Sequence, residues 1–282
     1  MSAFEATPAN VAEMEWTIRI EEGRLFAKIW TPEVSEVGRL ASILLFHDSL
    51  GCVELWRGFP GRLASVTNRR VIAYDRLGFG RSDPHPGTIG ADFVAMEARQ
   101  VIPQLCEQVG ITEFVACGHS VGGGMAVETA ARFPARCRAL VTIAAQAFVE
   151  DRTLAGIRIA RRGFQDPANL AKLARYHGDK AKWVVDAWTE TWLAPDFAHW
   201  NLNTALSAVR CPVLAVHGDR DEYGSDEHPK RIAAGRGTVQ VLLNTGHMPH
   251  REHEGLVVDT IHRFLTDNQD ATCRTPTAHL RR

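Results

Sequence analysis

The stretch "GHSVGG" at 118–123 sets one serine, Ser120, between glycines and directly after a histidine, His119. A serine hydroxyl is a weak nucleophile near neutral pH, so attack on a carbonyl needs an imidazole within hydrogen-bond reach and a carboxylate to orient it. Both residue types follow: Asp219 and Asp221 in "VHGDRDEY" at 216–223, then His247 in "NTGHMPH" at 244–250. Gly118-x-Ser120-x-Gly122 is the spacing of a sharp strand-to-helix turn that holds a serine exposed and strained, and there the acid and then the histidine follow in chain order. Side chains at the flanking glycines would collide across the tight crossing. A helix-capping serine is the competing reading of Ser120. The tetrahedral intermediate of acyl transfer also needs two N–H donors aimed at its oxyanion, and the amide of Val121 supplies one.

These residues can meet only if the elements around them alternate in the right way. Strand-like runs recur as "MEWTIRI" at 14–20, "RLFAKIWT" at 24–31, "ASILLFH" at 41–47, "RVIAYD" at 70–75, "EFVAC" at 113–117, "RALVTIA" at 138–144, "PVLAVHG" at 212–218 and "TVQVLL" at 238–243. The first two flank Glu21-Glu22-Gly23 and predict an antiparallel hairpin. From Ala41 onward the runs are more continuously apolar, as in parallel strands covered by helices on both faces. Helical patterns lie between them, at 91–109 with a stripe of Phe93, Val94, Val101, Leu105 and Val109, and at 122–133 directly after the serine. The alternation predicts an α/β sheet with right-handed crossovers. Residues 150–209 contain no strand-like run and hold four of the seven tryptophans, Trp183, Trp188, Trp192 and Trp200. They predict a helical insertion placed as a cap where open sheets bind ligands. The expected division is a discontinuous core of 1–149 and 210–282, loose at 1–13 and 267–282, with a cap at 150–209.

With these elements in order, the chain resembles the α/β-hydrolase family. "GHSVGG", "YDRLGFGRSD" at 74–83, "HGDRDEY" and "GHMPHREHE" at 246–254 match its motifs near the usual spacing, over about Met14 to Leu265. The resemblance implies a mostly parallel eight-stranded sheet with helices on both faces and an inserted helical cap. It also implies a triad of Ser120, His247 and Asp221. The family's acid lies three residues after the glycine of "HG", which selects Asp221; Asp219 is the fallback, with turn capping as its other role. Its histidine follows a glycine, here Gly246. The second oxyanion donor comes from the loop after the third strand, "LLFHDSLG", where family members carry His-Gly and then the donor. That maps to His47-Asp48 and the amide of Ser49, which Trp56 nine residues after His47 favours over Leu50. Asp48 departs from the pattern by replacing the glycine. A carboxylate aimed at an oxyanion would oppose the developing charge, so Asp48 is expected to point outward and bond the adjacent loop, Arg76 or Arg81.

The implied activity is hydrolysis of a carboxylic ester or lactone of a small apolar or aromatic substrate through an acyl-enzyme. The alternatives are cleavage of a carbon–carbon bond in a diketone-like aromatic breakdown product, and a non-catalytic ligand receptor on the same fold. Candidate pocket residues are His119, Phe148, Trp188, Trp192 and Met248; the two tryptophans, four apart, could equally pack the insertion onto the sheet. A serine at the nucleophile position argues against relatives that use aspartate there, the haloalkane dehalogenases and epoxide hydrolases.

Bulk properties narrow the partners. A formal charge of −1, with 45% hydrophobic and 23% charged residues, gives no electrostatic reason to expect nucleic acid or a membrane surface, and suits a small-molecule substrate. A homo-oligomer stays open. No signal-like or membrane-length apolar run is found, and six scattered cysteines without CxxC spacing read as reduced thiols of a cytoplasmic protein. Cys117 reads as strand packing and Cys52 as buried. "RLGFG" lacks the third glycine of a dinucleotide loop, so no cofactor is expected. His247, His250 and His253 are spaced like metal ligands, but Pro249 disturbs the helix that would align them, so no metal is expected.

Overall fold

A computed structural model describes residues 10–33, 40–235 and 237–272, the last four of these by backbone alone. Eight strands form one sheet: β1 (Val11–Ile20), β2 (Gly23–Pro32), β3 (Ser42–Phe46), β4 (Val71–Tyr74), β5 (Phe114–His119), β6 (Cys137–Ile143), β7 (Val213–Gly218) and β8 (Gly237–Leu242). Their order is β1-β2-β4-β3-β5-β6-β7-β8. β2 runs antiparallel to both β1 and β4, and all other pairs are parallel. The sheet is thus mostly parallel, and each of the eight sequence runs becomes a strand.

Helices α1 (Phe59–Thr67), α2 (Phe93–Met96), α3 (Ile102–Val109) and α4 (Val121–Arg132) alternate with the first strands. The helix expected over 91–109 is interrupted, because Pro103 donates no bond into the preceding turn and residues 97–101 widen into a π-helical turn. Between β6 and β7 come α5 (Asp151–Gly163), α6 (Pro167–His177), α7 (Ala181–Leu193) and α8 (Asn203–Ala208). The chain closes with α9 (Glu227–Ala233), the single turn α10 (Pro249–Glu252) and α11 (Glu254–Thr272).

Successive residues of a strand face opposite sides, so one apolar run feeds two cores. Leu44, Phe46 and Ala116 pack with α3, α4 and α8 on one face. Ile43, Leu45, Val115 and Cys117 pack with α1 and α11 on the other, where Val257, Val258 and Ile261 are fully buried.

Three boundaries differ from the sequence expectation. Residues 11–13, expected to be loose, extend β1 against β2, where Glu13 accepts a hydrogen bond from Trp30 Nε1 at 2.9 Å and pairs with Lys28. At the other end α11 continues through 267–272; the rest of that expected tail, with Cys273, and residues 1–9 lie outside the described residues. Within the insertion, α8 buries its apolar side against α4 and belongs to the core layer, so only α5 to α7 rise beside the carboxyl ends of the strands.

Candidate active site

β5 delivers Ser120 and α4 departs directly after it. Ser120 has φ 55° and ψ −127°, a left-handed conformation that costs a non-glycine residue free energy and is held only by the packing around it. That packing explains the glycines. A Cβ on Gly118 would lie 2.0 Å from the Gly122 carbonyl oxygen, and one on Gly122 2.1 Å from that of Phe46 in β3.

The loops after β7 and β8 bring the partners. His247 Nε2 lies 3.0 Å from Ser120 Oγ, and His247 Nδ1 lies 2.9 Å from both carboxylate oxygens of Asp221. With Nδ1 facing a carboxylate, the imidazole carries its proton there and presents a bare Nε2 to the hydroxyl. Burial alone would push the Asp221 carboxyl up, but the His247 hydrogen bond and the Tyr223 N–H hold it below the ordinary range. Burial would likewise lower His247; the hydrogen bond and charge of Asp221 outweigh it and raise the imidazole. Asp219 instead accepts a bond from the Thr245 amide at 3.1 Å, tying the loop after β7 to the loop after β8.

Val121 begins α4, so its amide has no carbonyl one turn earlier to bond. On the facing loop the Leu50 amide is occupied, donating to Asp48 Oδ1 at 2.8 Å, and Ser49 lines the cavity beside Ser120. His47 Nδ1 donates to the Asp48 carbonyl at 2.8 Å and Nε2 accepts the Arg76 amide at 3.1 Å, which fixes its neutral tautomer. Asp48 corrects the outward expectation. Its Oδ1 does bond its own loop, but Oδ2 turns inward to His119 Nδ1 at 3.3 Å. Arg76 reaches only the Asp48 carbonyl, at 2.9 Å, and Arg81 pairs with Glu15.

A cavity of about 580 Å³ opens over Ser120. Of the sequence-picked pocket residues it takes in His119, Trp188, Trp192 and Met248, and α5 to α7 add Ile157, Leu173 and others. Phe148 corrects the expectation: its ring faces away, against His228 at 4.4 Å between centroids, with the Arg231 guanidinium over it at 4.1 Å. Trp192 lines the cavity while its ring meets Phe197 and Trp200 of the same insertion edge-on.

Other side chains here left no signal in the sequence. Gln146 Oε1 sits 3.3 Å from Ser120 Oγ. Glu252 accepts the amides of Gly246 and Met248 at 2.9 and 3.1 Å and clamps the loop around His247. Arg152 and Thr153 of α5 donate to the carbonyls of Asp221 and Tyr223, holding the acid loop. At the end of α6, His177 takes the Gly80 amide on Nδ1 and donates from Nε2 to the Leu50 carbonyl at 3.0 Å.

The three spaced histidines do not converge. His247 faces Ser120, His250 is buried among Trp56, Phe59 and His119, and His253 is exposed; among the described residues no group of three metal-binding side chains forms. Burial pushes the thiols of Cys52 and Cys117 up to about 12, so neither carries thiolate character near neutral pH. No described helix is long and apolar enough to cross a membrane.

Residues 43–260 match the model of the alpha/beta hydrolase family. Serine hydrolase BPHL of Mus musculus is 27% identical over 187 residues, 64% of this chain and 63% of that protein. The 1-acylglycerol-3-phosphate O-acyltransferase ABHD5 of Homo sapiens is 31% identical over 139 residues, 49% of this chain and only 38% of that protein. Among solved structures, 2-hydroxy-6-oxo-6-phenylhexa-2,4-dienoate hydrolase of Rhodococcus sp. superposes with a TM-score of 0.73 at 18% identity, over 91% of this chain and 100% of that one. The enol-lactonase of Burkholderia xenovorans gives 0.69 at 18% identity, over 89% and 99%. These two structures share the fold; the family match, over most of the chain, assigns it: this chain belongs to the alpha/beta hydrolase family.

Proposed function

We propose that the protein is a serine hydrolase that cleaves a carboxylic ester or lactone of a small apolar or aromatic acid through an acyl-enzyme. The observation that carries this reading is the unbroken chain of contacts from Asp221 through His247 to Ser120 at the floor of a cavity with largely apolar walls. In the mechanism, His247 Nε2 accepts the Ser120 proton as Oγ attacks the carbonyl, and Asp221 stabilises the imidazolium that forms. The amides of Val121 and Ser49 donate to the oxyanion, Leu50 being engaged with Asp48. The imidazolium gives its proton to the leaving oxygen. Water activated by the same imidazole then releases the acid. Helices α5 to α7 serve as the cap: they supply apolar wall for the acyl or aryl group and exclude water from the acyl-enzyme.

The test is turnover of a p-nitrophenyl ester series from acetyl to dodecanoyl by the intact protein and by Ser120→Ala. Turnover that falls about 10⁴-fold or more in the variant is the expected outcome. If the intact protein cleaves no ester or lactone but hydrolyses a vinylogous 1,5-diketone, the bond cleaved is carbon–carbon and the ester reading falls.

A further inference from the structure

Asp48 stands where the family resemblance leads one to expect glycine, and its carboxylate is fully committed. Oδ1 accepts the Leu50 amide at 2.8 Å, and Oδ2 meets Nδ1 of His119 at 3.3 Å. The other ring nitrogen of His119 lies 2.8 Å from the carbonyl oxygen of His247. A carbonyl only accepts, so Nε2 must carry a hydrogen; the contact at Nδ1 then needs a second proton between the imidazole and the carboxylate. Burial alone would push the Asp48 carboxyl up, but the hydrogen bond and charge of His119 hold it well below the ordinary range. The pair is therefore neutral as a unit and does not oppose a developing oxyanion. The ring is shielded from water, His119 being only 1% exposed, while the Asp48 side chain is 20% exposed at the cavity wall.

We propose that Asp48 is a positioning residue: through His119 it ties the loop that carries Ser49 to the loop that carries His247. The bridge runs Leu50 N–H, Asp48, His119, His247 carbonyl, joining three segments more than 70 residues apart in sequence. By occupying the Leu50 amide it also leaves Ser49 as the donor of that loop. Family members with glycine at this position have no side chain with which to make such a tie.

The inference rests on the serine-hydrolase reading, so Ser120 labelling by a fluorophosphonate is measured first; a wild-type protein that does not label overturns both. With labelling established, kcat, KM and the affinity for a trifluoromethyl ketone, which forms an oxyanion on Ser120, are compared in Asp48→Ala and Asp48→Asn. Asparagine can accept from Leu50 with Oδ1 and donate from Nδ2 to a neutral His119, preserving the bridge. Alanine breaks it. The expected result is a kcat loss of about 10- to 100-fold in Asp48→Ala with KM within about threefold, a parallel loss of ketone affinity, and rescue to within about threefold by Asp48→Asn. A fully active Ala variant, an Asn variant as impaired as Ala, or a change confined to KM would each overturn the proposal. If Asp48→Ala does not fold, as read by circular dichroism, His119→Phe cuts the bridge at its other end with similar ring packing. It must then show the same kcat loss, and full activity in it overturns the tie.

Discussion

His247 is subject to two opposed influences, and the outcome sets how activity depends on pH. Burial favours the neutral ring, while the Asp221 hydrogen bond and charge favour the imidazolium and prevail, so the imidazole titrates above its ordinary 6.5. A general base works only when neutral; with His247 as the base of the proposed mechanism, kcat/KM is expected to fall as pH drops through that raised value. Removing the anion with Asp221→Asn should move the midpoint of this acid limb down and cost about 10⁴-fold in rate, because the wrong tautomer is no longer penalised. A pH profile of ester hydrolysis for both proteins reads this, and an unmoved midpoint would assign the limb to another group. At this scale the sequence was legible where chemistry constrains local spacing. Ser120, Gly118 and Gly122 are fixed by one turn; places just past strand ends offered Asp219, Asp221 and His247, and the family resemblance chose Asp221 over Asp219. It was illegible where a partner is chosen by the fold: nothing near Gln146 or His177 signals the loops they meet, and Asp48 uses Oδ1 within its own loop but turns Oδ2 inward to the distant His119.

The inserted helices are tied to the loops that carry Asp221 and Leu50 rather than resting on them. α5 holds the acid loop through Arg152 and Thr153, Lys180 donates to the carbonyls of Gly80 and Ser82, and His177 joins Gly80 to Leu50 on the oxyanion loop. His177 is buried, so His177→Ala leaves an amide and a carbonyl without partners, each costing about 1–3 kcal/mol. By contrast Lys182→Ala, which breaks an exposed pair with Asp186 on α7, should change stability by less than about 0.5 kcal/mol. Denaturant unfolding of the two variants separates them; equal effects would mean that the His177 contacts do not anchor the insertion. The central strands β3 to β7 were readable because continuous apolar runs bounded by turns have few other solutions, and β1 and β2 because they flank a turn. The split of the insertion into α5 to α7 beside the cavity and α8 within the core was not, because the short α8 sequence NTALSA carries no sign of which surface it covers. Only the surface of α4 decides which part is covered.

Taken as a whole, the molecule encloses its cavity between a rigid parallel sheet and an insertion whose side chains set the depth. The sheet side supplies the reactive groups and the polar floor, Ser120, His247 and Gln146; the insertion supplies Ile157, Ala160, Leu173, Trp188 and Trp192. On the proposed ester reading the walls rather than the triad would meet the acyl chain, and substrate length would be a property of the assembled fold. Each methylene moved from water onto these walls contributes about 0.8 kcal/mol, so kcat/KM for a p-nitrophenyl ester series should rise about fourfold per carbon until the cavity is filled. Ala160 lies on α5 with its side chain at the cavity wall and is partly exposed, so a larger side chain there projects into open space instead of straining the core. Ala160→Phe should leave acetyl ester turnover close to wild type and end the rise several carbons earlier. A length profile unchanged by the substitution would show that the acyl chain leaves by another route, and the insertion would then lose its role in choosing the substrate.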